Sequence, residues 1–468
     1  MDLRELFGAE APSVEVTALA YDNRAVTPGT AFFCVRGMTR DGHEFAPEAI
    51  ARGAVALIVD HPLGLGVPEV VVGDVRAAMA PAAARLAGDP TARLQVVGIT
   101  GTNGKTTTAF LVRALLEAAG RPTGLLGTVS SVIAGVEAPT ERTTPEAIDL
   151  QRTFAQMVAA GDEACAMEVS SHALELHRAD AVHWAVAMFT NLTQDHLDFH
   201  PDMESYFAAK RRLFQAGPGT AVVNADDAYG RRLAEEFEAV TFAIDRDADV
   251  RAENVRFGLT GSTFTVDGVE LQSPLPGRFN VLNVLGAVAA ARTLGVDDAT
   301  IARALPNAGR VPGRFEPVEE GQSFAVLVDY AHTPDSLDNV LRAARQLAQS
   351  RVVCVFGCGG DRDRGKRPEM GRIASGLADV AIVTSDNPRS EDPEAIIAEV
   401  VAGMRPGAIV EPDRRAAIER AVGLAGEGDV VVIAGKGHEQ GQEFAGGLKL
   451  PFDDVAVARE ALRARLVA

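Results

Sequence analysis

The sequence predicts an α/β protein of three domains, with parallel sheets in the central and C-terminal ones. Three observations carry that prediction. The chain has 468 residues, too many for one ordinary domain and suited to about three. Its last third alternates apolar strand-like runs with helical stretches, as a helix-covered parallel sheet does. Near residue 100 an apolar run enters a glycine- and threonine-rich loop and then a helix.

The first domain is expected over residues 1–90, with strands at 31–35, 54–59 and 69–72 and a helix at 75–87. The break Gly88-Asp89-Pro90 closes it, since glycine and proline end regular structure. The central domain follows over 91–308, closing with a helix at 283–294, and 309–314 reads as a linker. The C-terminal domain, 309–468, has strands at 325–328, 352–356, 380–384 and 430–434, each ending in a polar loop. Ligands of such Rossmann-like sheets bind beyond the carboxyl ends of the strands, so these four loops are candidate binding segments rather than plain surface loops.

The central domain carries the sharpest chemistry. In Gly101-Thr102-Asn103-Gly104-Lys105-Thr106-Thr107, two glycines let backbone N–H groups face phosphate oxygens, and the following helix offers its positive end. Lys105 can reach the outer phosphates and Thr106 can ligate Mg²⁺. A strict P-loop has glycine where Ile99 stands, so this is a shortened variant on a P-loop ATPase-type sheet. The bland alternative is a Gly/Thr-rich loop with a solvated lysine. Glu168 follows an apolar segment, where a Mg²⁺ ligand would sit. Asp195 and His196 follow a strand at 186–189; alone they read equally well as a capped turn. By pattern alone, Lys210 lies on the solvated basic face of an amphipathic helix.

Composition narrows the classes further. Apolar residues make up 47%, enough for several cores, and 45 basic against 64 acidic residues give a net charge of −19. That balance argues against nucleic acid or an anionic membrane as the main partner. Cys34, Cys165, Cys354 and Cys358 lack zinc-site spacing and read as reduced, buried thiols. No charge-free stretch spans a bilayer, and residues 1–10 lack a signal-like pattern. The expectation is a cytoplasmic protein.

Together these segments resemble the Mur ligase family of ATP-dependent amino-acid ligases of peptidoglycan synthesis. The matching positions are Gly101–Thr107, Glu168-Val169-Ser170-Ser171-His172, 191–198, Lys210, Asn280, Asn283, Gly313-Arg314 and 329–334, with Asp22-Asn23-Arg24 and Asp41-Gly42-His43 in the first domain. The resemblance implies ATP contacts from the loop, Asn280, Asn283, Arg314 and Asp329. It implies contacts to a UDP-muramyl dipeptide from Asn23, Thr143, Thr144, Ser170 and Arg178. It implies metal ligation by Thr106, Glu168, His196 and Lys210, the lysine carbamylated to N6-carboxylysine, with Lys105, Lys210 and His196 as the catalytic groups. The family usually has Ser at Asn23, and some members have Gln at Leu176.

Thr143-Thr144-Pro145, 357–363, Asp386-Asn387-Pro388-Arg389 and 435–439 resemble the members that add the third residue of the stem peptide. The likeness implies a pocket for meso-diaminopimelate made by Arg362, Asp386, Asn387, Pro388, Arg389, Gly435 and Glu439. An arginine there suits the distal carboxylate that separates this amino acid from L-lysine. The expected reaction joins it to UDP-N-acetylmuramoyl-L-alanyl-D-glutamate through an acyl phosphate, by a monomer acting on small molecules. The rivals are the same reaction with L-lysine, glutamate addition to folate, and a non-catalytic nucleotide switch or transporter ATPase.

Overall fold

The computed structural model describes residues 1–37, 40–140 and 142–467. They form two compact units: Met1–Thr100 with Gly120–Met188 and Ala209–Ala221, and Gly101–Ala119 with Phe189–Ala208 and Val222–Ala468. Residues 1–90 fall wholly in the first unit and 309–468 wholly in the second, while 91–308 is shared.

The first unit opens with a parallel sheet in the order Ala18–Ala20, Thr30–Phe33, Ala54–Val59, Glu69–Val71. Alternation along these strands sends Phe33 and Ile58 into one core and Phe32, Leu57 and Val59 into the other, the two-residue period of a sheet covered on both faces. The helix Val75–Leu86 starts where the Asp74 carboxylate accepts from the N–H groups of Arg76 and Ala77, satisfying two orphan donors. A second sheet pairs Gln95–Thr100 and Thr123–Leu126 in parallel on either side of Ala164–Glu168. Ile99 stands opposite Glu168, so this residue closes its strand at the carboxyl edge of the sheet.

The second unit holds the helix Lys105–Ala118 packed along Arg278–Thr293 and a three-stranded antiparallel sheet, Glu253–Gly258, Gly261–Val266 and Val269–Ser273. Its largest sheet runs Glu316–Pro317, Ala325–Asp329, Val430–Ala434, Val352–Phe356, Val380–Val383, Ile409–Val410. Only the first of these strands is antiparallel. Val353, Val355, Val431 and Ile433 fill one face, and Val352, Cys354, Phe356 and Val432 the other. The predicted Rossmann-like layer is therefore present, and its four central strands deliver their polar loops to one edge.

The differences from expectation are local. The helix after the glycine- and threonine-rich loop begins directly at Lys105, and the later helix begins at Arg278, not 283. The strand expected to reach 35 stops at Phe33, because Val35 turns to exchange hydrogen bonds with Phe33 and Gly42. The segment read as a linker is packed: Val311 and Phe315 are buried, and a Cβ on Gly313 would lie 2.1 Å from the His438 nitrogen. All four cysteines are free and buried. No helix among the described residues is long and apolar enough to cross a membrane.

One ion pair is enclosed in the second unit. Arg414 Nε and Nη2 donate to the two oxygens of Asp454 at 2.8 and 2.7 Å, and Nη2 also reaches the Ala434 carbonyl at 3.0 Å. Both side chains have zero exposure. Removing one member strands the other charge without water, a loss of about 3–5 kcal/mol. Arg414→Met is expected to lower the unfolding free energy by that amount, read by urea unfolding. An unfolding free energy within about 0.5 kcal/mol of native would contradict the account.

Candidate active site

In the second unit the phosphate loop is held by close approach. Gly101 has φ 148°, and a Cβ there would fall 1.9 Å from Thr190 Oγ1. Gly104 has φ 87°, and a Cβ would fall 2.3 Å from Asn283 Oδ1. No other residue fits either position. The Thr102 N–H donates to the Asn191 carbonyl and the Asn103 N–H to Asn191 Oδ1, both at 2.9 Å. Thr190 Oγ1 and Asn191 Nδ2 donate to the Asn103 carbonyl at 2.6 and 3.1 Å. Lys105 Nζ donates to the carbonyls of Gly101 and Thr102 at 2.9 and 2.7 Å, so its charge is carried by the loop itself. The Thr107 side chain is buried in the first turn.

Residues far along the chain meet this loop. Arg314 Nη2 donates to Thr106 Oγ1 at 3.1 Å, and its guanidinium lies 4.5 Å from the Tyr330 ring centroid. Asn283 donates to Asn280, which donates to the Pro276 carbonyl, so both amides are fixed beneath Gly104. Asp335 accepts from Asn103 Nδ2 at 2.8 Å and Thr193 Oγ1 at 3.2 Å; burial raises its carboxyl above the usual range. Asp329 accepts from the N–H groups of Phe315 and Ala331 at 2.6 and 2.8 Å. Burial lifts its carboxyl to about 6, against the pull of Arg314.

His196 takes φ 55°, and its N–H donates to Asp195 Oδ1 at 2.9 Å. Burial pushes the Asp195 carboxyl up, but the charges of His196, His332 and Lys366 outweigh it, leaving it below the usual range. An ionised carboxylate thus sits against the imidazole.

The C-terminal edge gathers a second constellation. Lys436, fully buried, donates to Asn387 Oδ1 at 2.7 Å and Glu439 Oε2 at 3.1 Å, and lies 3.4 Å from Asp386 Oδ1. Asn387 Nδ2 donates to the same Glu439 oxygen at 2.8 Å. Burial opposes ionisation of Asp386, but Lys436 and Arg414 prevail and hold its carboxyl low. Gly435 lies against this pair: a Cβ there would stand 3.2 Å from Asp386 Oδ2 and 3.6 Å from Arg414 Nη2. Arg389, at φ 52°, follows Pro388; its Nε donates to Glu443 Oε2 at 3.1 Å and its Nη1 to the Gly360 carbonyl at 2.8 Å. Arg362 is exposed and donates to the Asp361 carbonyl.

The first unit supplies another group. Glu168, 1% exposed, accepts from the Thr128 N–H at 2.7 Å and the Thr128 hydroxyl at 3.0 Å. A Cβ on Gly127 would lie 2.5 Å from Glu168 Oε1. Thr128 meets the Thr143 hydroxyl, Thr144 donates to the Glu168 carbonyl, and the Ser170 N–H donates to Thr144. Arg178 lies 2.9 Å from Glu146, which Arg142 also contacts, at 2.7 Å. Lys210 is 1% exposed, which corrects the pattern-based reading of it as a solvated surface lysine. Asn23 opens the short 3₁₀ turn Asn23–Ala25 behind Asp22.

The residues thus fall into groups within each unit. Thr143, Thr144, Glu168 and Ser170 are knit together in the first. The phosphate loop, Asn280, Asn283 and Arg314 form one cluster in the second, and Asp386, Asn387, Gly435 and Glu439 another. Lys436, Asp335, Thr128 and Glu146 were not singled out from the sequence. Lys436 carried a signal, standing between two glycines just after a strand; the others are marked only by long-range contacts. Within the first unit Glu168 offers a hard carboxylate oxygen of the kind Mg²⁺ prefers, and the missing Cβ at Gly127 is what lets that carboxylate lie against Thr128.

Three family models match the chain: the Mur ligase family catalytic domain over residues 15–97, the Mur ligase middle domain over 99–291, and the Mur ligase glutamate ligase domain over 313–437. A Geobacillus thermodenitrificans protein named UDP-N-acetylmuramoyl-L-alanyl-D-glutamate–2,6-diaminopimelate ligase is 50% identical, covering 96% of each chain. A Streptomyces coelicolor protein of the same name is 46% identical over 99% of this chain and 96% of its own. A solved structure bearing that name superposes with a TM-score of 0.73 at 34% identity, covering 100% of this chain and 99% of the other. The MurF ligase of Thermotoga maritima in complex with ADP shares the fold, at 18% identity and a TM-score of 0.63 over 96% of each chain.

Asp329 has a pH consequence. Its folded carboxyl titrates near 6 and its unfolded one near 3.8, so between those values the native state holds a proton that the unfolded chain has lost. Its contribution to stability therefore falls as pH rises from about 4 to 6. Asp329→Asn removes that slope. The stability of the variant minus that of the native protein is expected to rise by on the order of 2 kcal/mol across the window, measured by urea unfolding. A flat difference would refute the assignment.

Proposed function

The chain belongs to the Mur ligase family, and we propose that this ATP-dependent, ADP-forming ligase joins meso-diaminopimelate to UDP-N-acetylmuramoyl-L-alanyl-D-glutamate in peptidoglycan synthesis. The observation that carries the choice of amino acid is Arg389. Its guanidinium is seated on the Gly360 carbonyl and paired with the part-exposed Glu443 carboxylate. A substrate carboxylate can replace that partner bidentately. Glu439 and Asp386, beside Lys436, give an ammonium group carboxylates to bind. The names of relatives at 45–50% identity support the same amino acid.

Amide formation from a carboxylate needs a leaving group. The γ-phosphoryl of ATP passes to the D-glutamate side-chain carboxylate, ADP departs, and the acyl phosphate is attacked by the amine with loss of phosphate. Phosphoryl transfer is chiefly a matter of position and charge. The loop N–H groups and Lys105 meet the phosphates, Arg314 and Asp329 hold the nucleotide, and Asn280 and Asn283 keep Gly104 in place. Asn23, Thr143, Thr144, Ser170 and Arg178 are assigned to the UDP-muramyl dipeptide. Mur ligases use Mg²⁺, which when bound neutralises charge on the transferring phosphate; Thr106, Glu168, His196 and Lys210 are its proposed ligands. As N6-carboxylysine the buried Lys210 becomes an anion suited to a cation. We assign the three-domain division at 1–90, 91–308 and 309–468, a monomeric state and a cytoplasmic location to the same reading.

The test is phosphate release with an amino-acid panel. Release is expected only with ATP, the muramyl dipeptide and an amino acid together, with meso-diaminopimelate favoured over L-lysine by 10³-fold or more, on the order of what an unpaired buried polar group imposes. Arg389→Ala is expected to lose most of that preference. A native preference for L-lysine, or an unchanged diaminopimelate rate in the variant, would overturn the assignment.

Carbamylation has its own test. Lys210→Ala is expected to lose activity by at least about 10²-fold and to regain part of it with short carboxylates that fill the anion site. A native-like rate in the variant would exclude the carbamate.

A further inference from the structure

We propose that His43, Asp60 and His61 bind a divalent transition-metal cation of the zinc class, at a site in the first unit distinct from the Mg²⁺ donors. The parallel strands Thr30–Phe33 and Ala54–Val59 are neighbours. The second runs directly into Asp60-His61, and the first leads to the turn that carries Asp41 and His43. That turn is tight: a Cβ on Gly42 would lie 2.5 Å from the Val35 carbonyl oxygen. Sheet topology thus brings two histidines and a carboxylate to one strand edge. Their ligating atoms lie within 4.8 Å of one another, the sole such trio of His, Cys, Asp or Glu side chains among the described residues.

The protonation pattern favours a cation there. His43 is 6% exposed at its side chain, and its Nδ1 lies 2.6 Å from Asp41 Oδ1. An ionised carboxylate only accepts, so in a neutral ring the proton belongs on Nδ1. Nε2 then presents a lone pair toward Asp60 Oδ1, 3.3 Å away, and makes no hydrogen bond although it is buried. Two lone pairs face each other unless a proton or a metal lies between them. Ligands of a tetrahedral zinc at about 2.0–2.1 Å stand roughly 3.3 Å apart, the spacing found between His43 Nε2 and Asp60 Oδ1. Asp41 supplies the outer carboxylate that metal-bound histidines commonly have.

His61 completes the trio, its Nδ1 hydrogen-bonded to the same Asp60 oxygen and its ring 4.7 Å from that of His43. Arg36 Nε holds the other Asp60 oxygen at 2.9 Å, and its Nη2 lies 3.4 Å from Oδ1. With Oδ2 held by Arg36, Asp60 would ligate through Oδ1 alone, and zinc there would replace the His61 hydrogen bond, which makes the site weaker than a four-ligand structural zinc site. The two-histidine, one-carboxylate set with an open position selects late transition metals over Mg²⁺ or Ca²⁺.

The experiment uses the full chain, stripped with chelator and titrated with ZnCl₂ against a chromophoric chelator, and with CoCl₂ by visible absorption. Native protein and Glu168→Gln are expected to bind one zinc with equal affinity and to give a tetrahedral cobalt spectrum. His61→Ala and Asp60→Asn are expected to weaken zinc at least tenfold. His61 is half exposed, so its removal leaves the fold intact, and the near-isosteric Asp60→Asn provides an independent variant; circular dichroism checks both. Absence of stoichiometric zinc in the native protein, native affinity in both variants, or thiolate-to-cobalt charge transfer would each overturn the proposal. Loss of binding in Glu168→Gln would also do so, by placing the metal at the other site.

Discussion

The structure turns on how closely other backbone and side chains press on the phosphate loop. Thr190, Asn191 and Asn283 occupy space that any Cβ at Gly101 or Gly104 would fill. The path of the loop is therefore set in advance by its neighbours, while Lys105 and the Thr102 and Asn103 N–H groups, already bonded within the protein, would exchange partners to meet a phosphate. Preorganisation of this kind makes electrostatic stabilisation effective. Asn191 is held in turn by its position just past Trp184–Phe189, so the strand order of the sheet is written into the loop.

Charge at the amino-acid end is arranged differently. Lys436, Asp386, Asn387 and Glu439 already satisfy one another, and Arg389 already has Glu443. If these residues take the amino acid, as proposed, a zwitterionic substrate gains by exchanging partners, not by filling bare charges. The net gain of each exchange is small, because desolvation offsets attraction. Under the proposed assignment selectivity follows instead from mismatch: an amino acid that displaces Glu443 but offers no carboxylate leaves a guanidinium poorly matched. The fully enclosed Arg414–Asp454 pair lies behind this cluster and supports the Ala434 end of its strand.

Much of this was legible in the sequence because chemistry fixes residue types over short spans. The glycines, lysine and threonines of the loop are adjacent, and the four apolar strands with polar ends need only local pattern. What was not legible depends on distance along the chain. Asp335 meets Asn103 across 232 positions, and no periodicity announces that. Lys210 misled by pattern, since a lysine on an amphipathic helix is normally solvated, and only its tertiary burial reveals otherwise. The segment 309–314 misled by composition: glycine and proline there permit close packing against Gly437 and His438 and not a free tether.

Asp335 sits in the first turn of the helix Pro334–Leu347, which packs on the C-terminal sheet, yet its carboxylate is bonded to the phosphate loop at Asn103 and to Thr193. A hydrogen-bonded clasp of this sort makes the order of the loop and the stance of that helix a single mechanical variable. Any swing that carries the helix away must first open the clasp, and the freed Asn103 amide then belongs to a looser loop. Together with the Arg314–Thr106 hydrogen bond, this clasp couples any displacement of the C-terminal layer to the order of the loop.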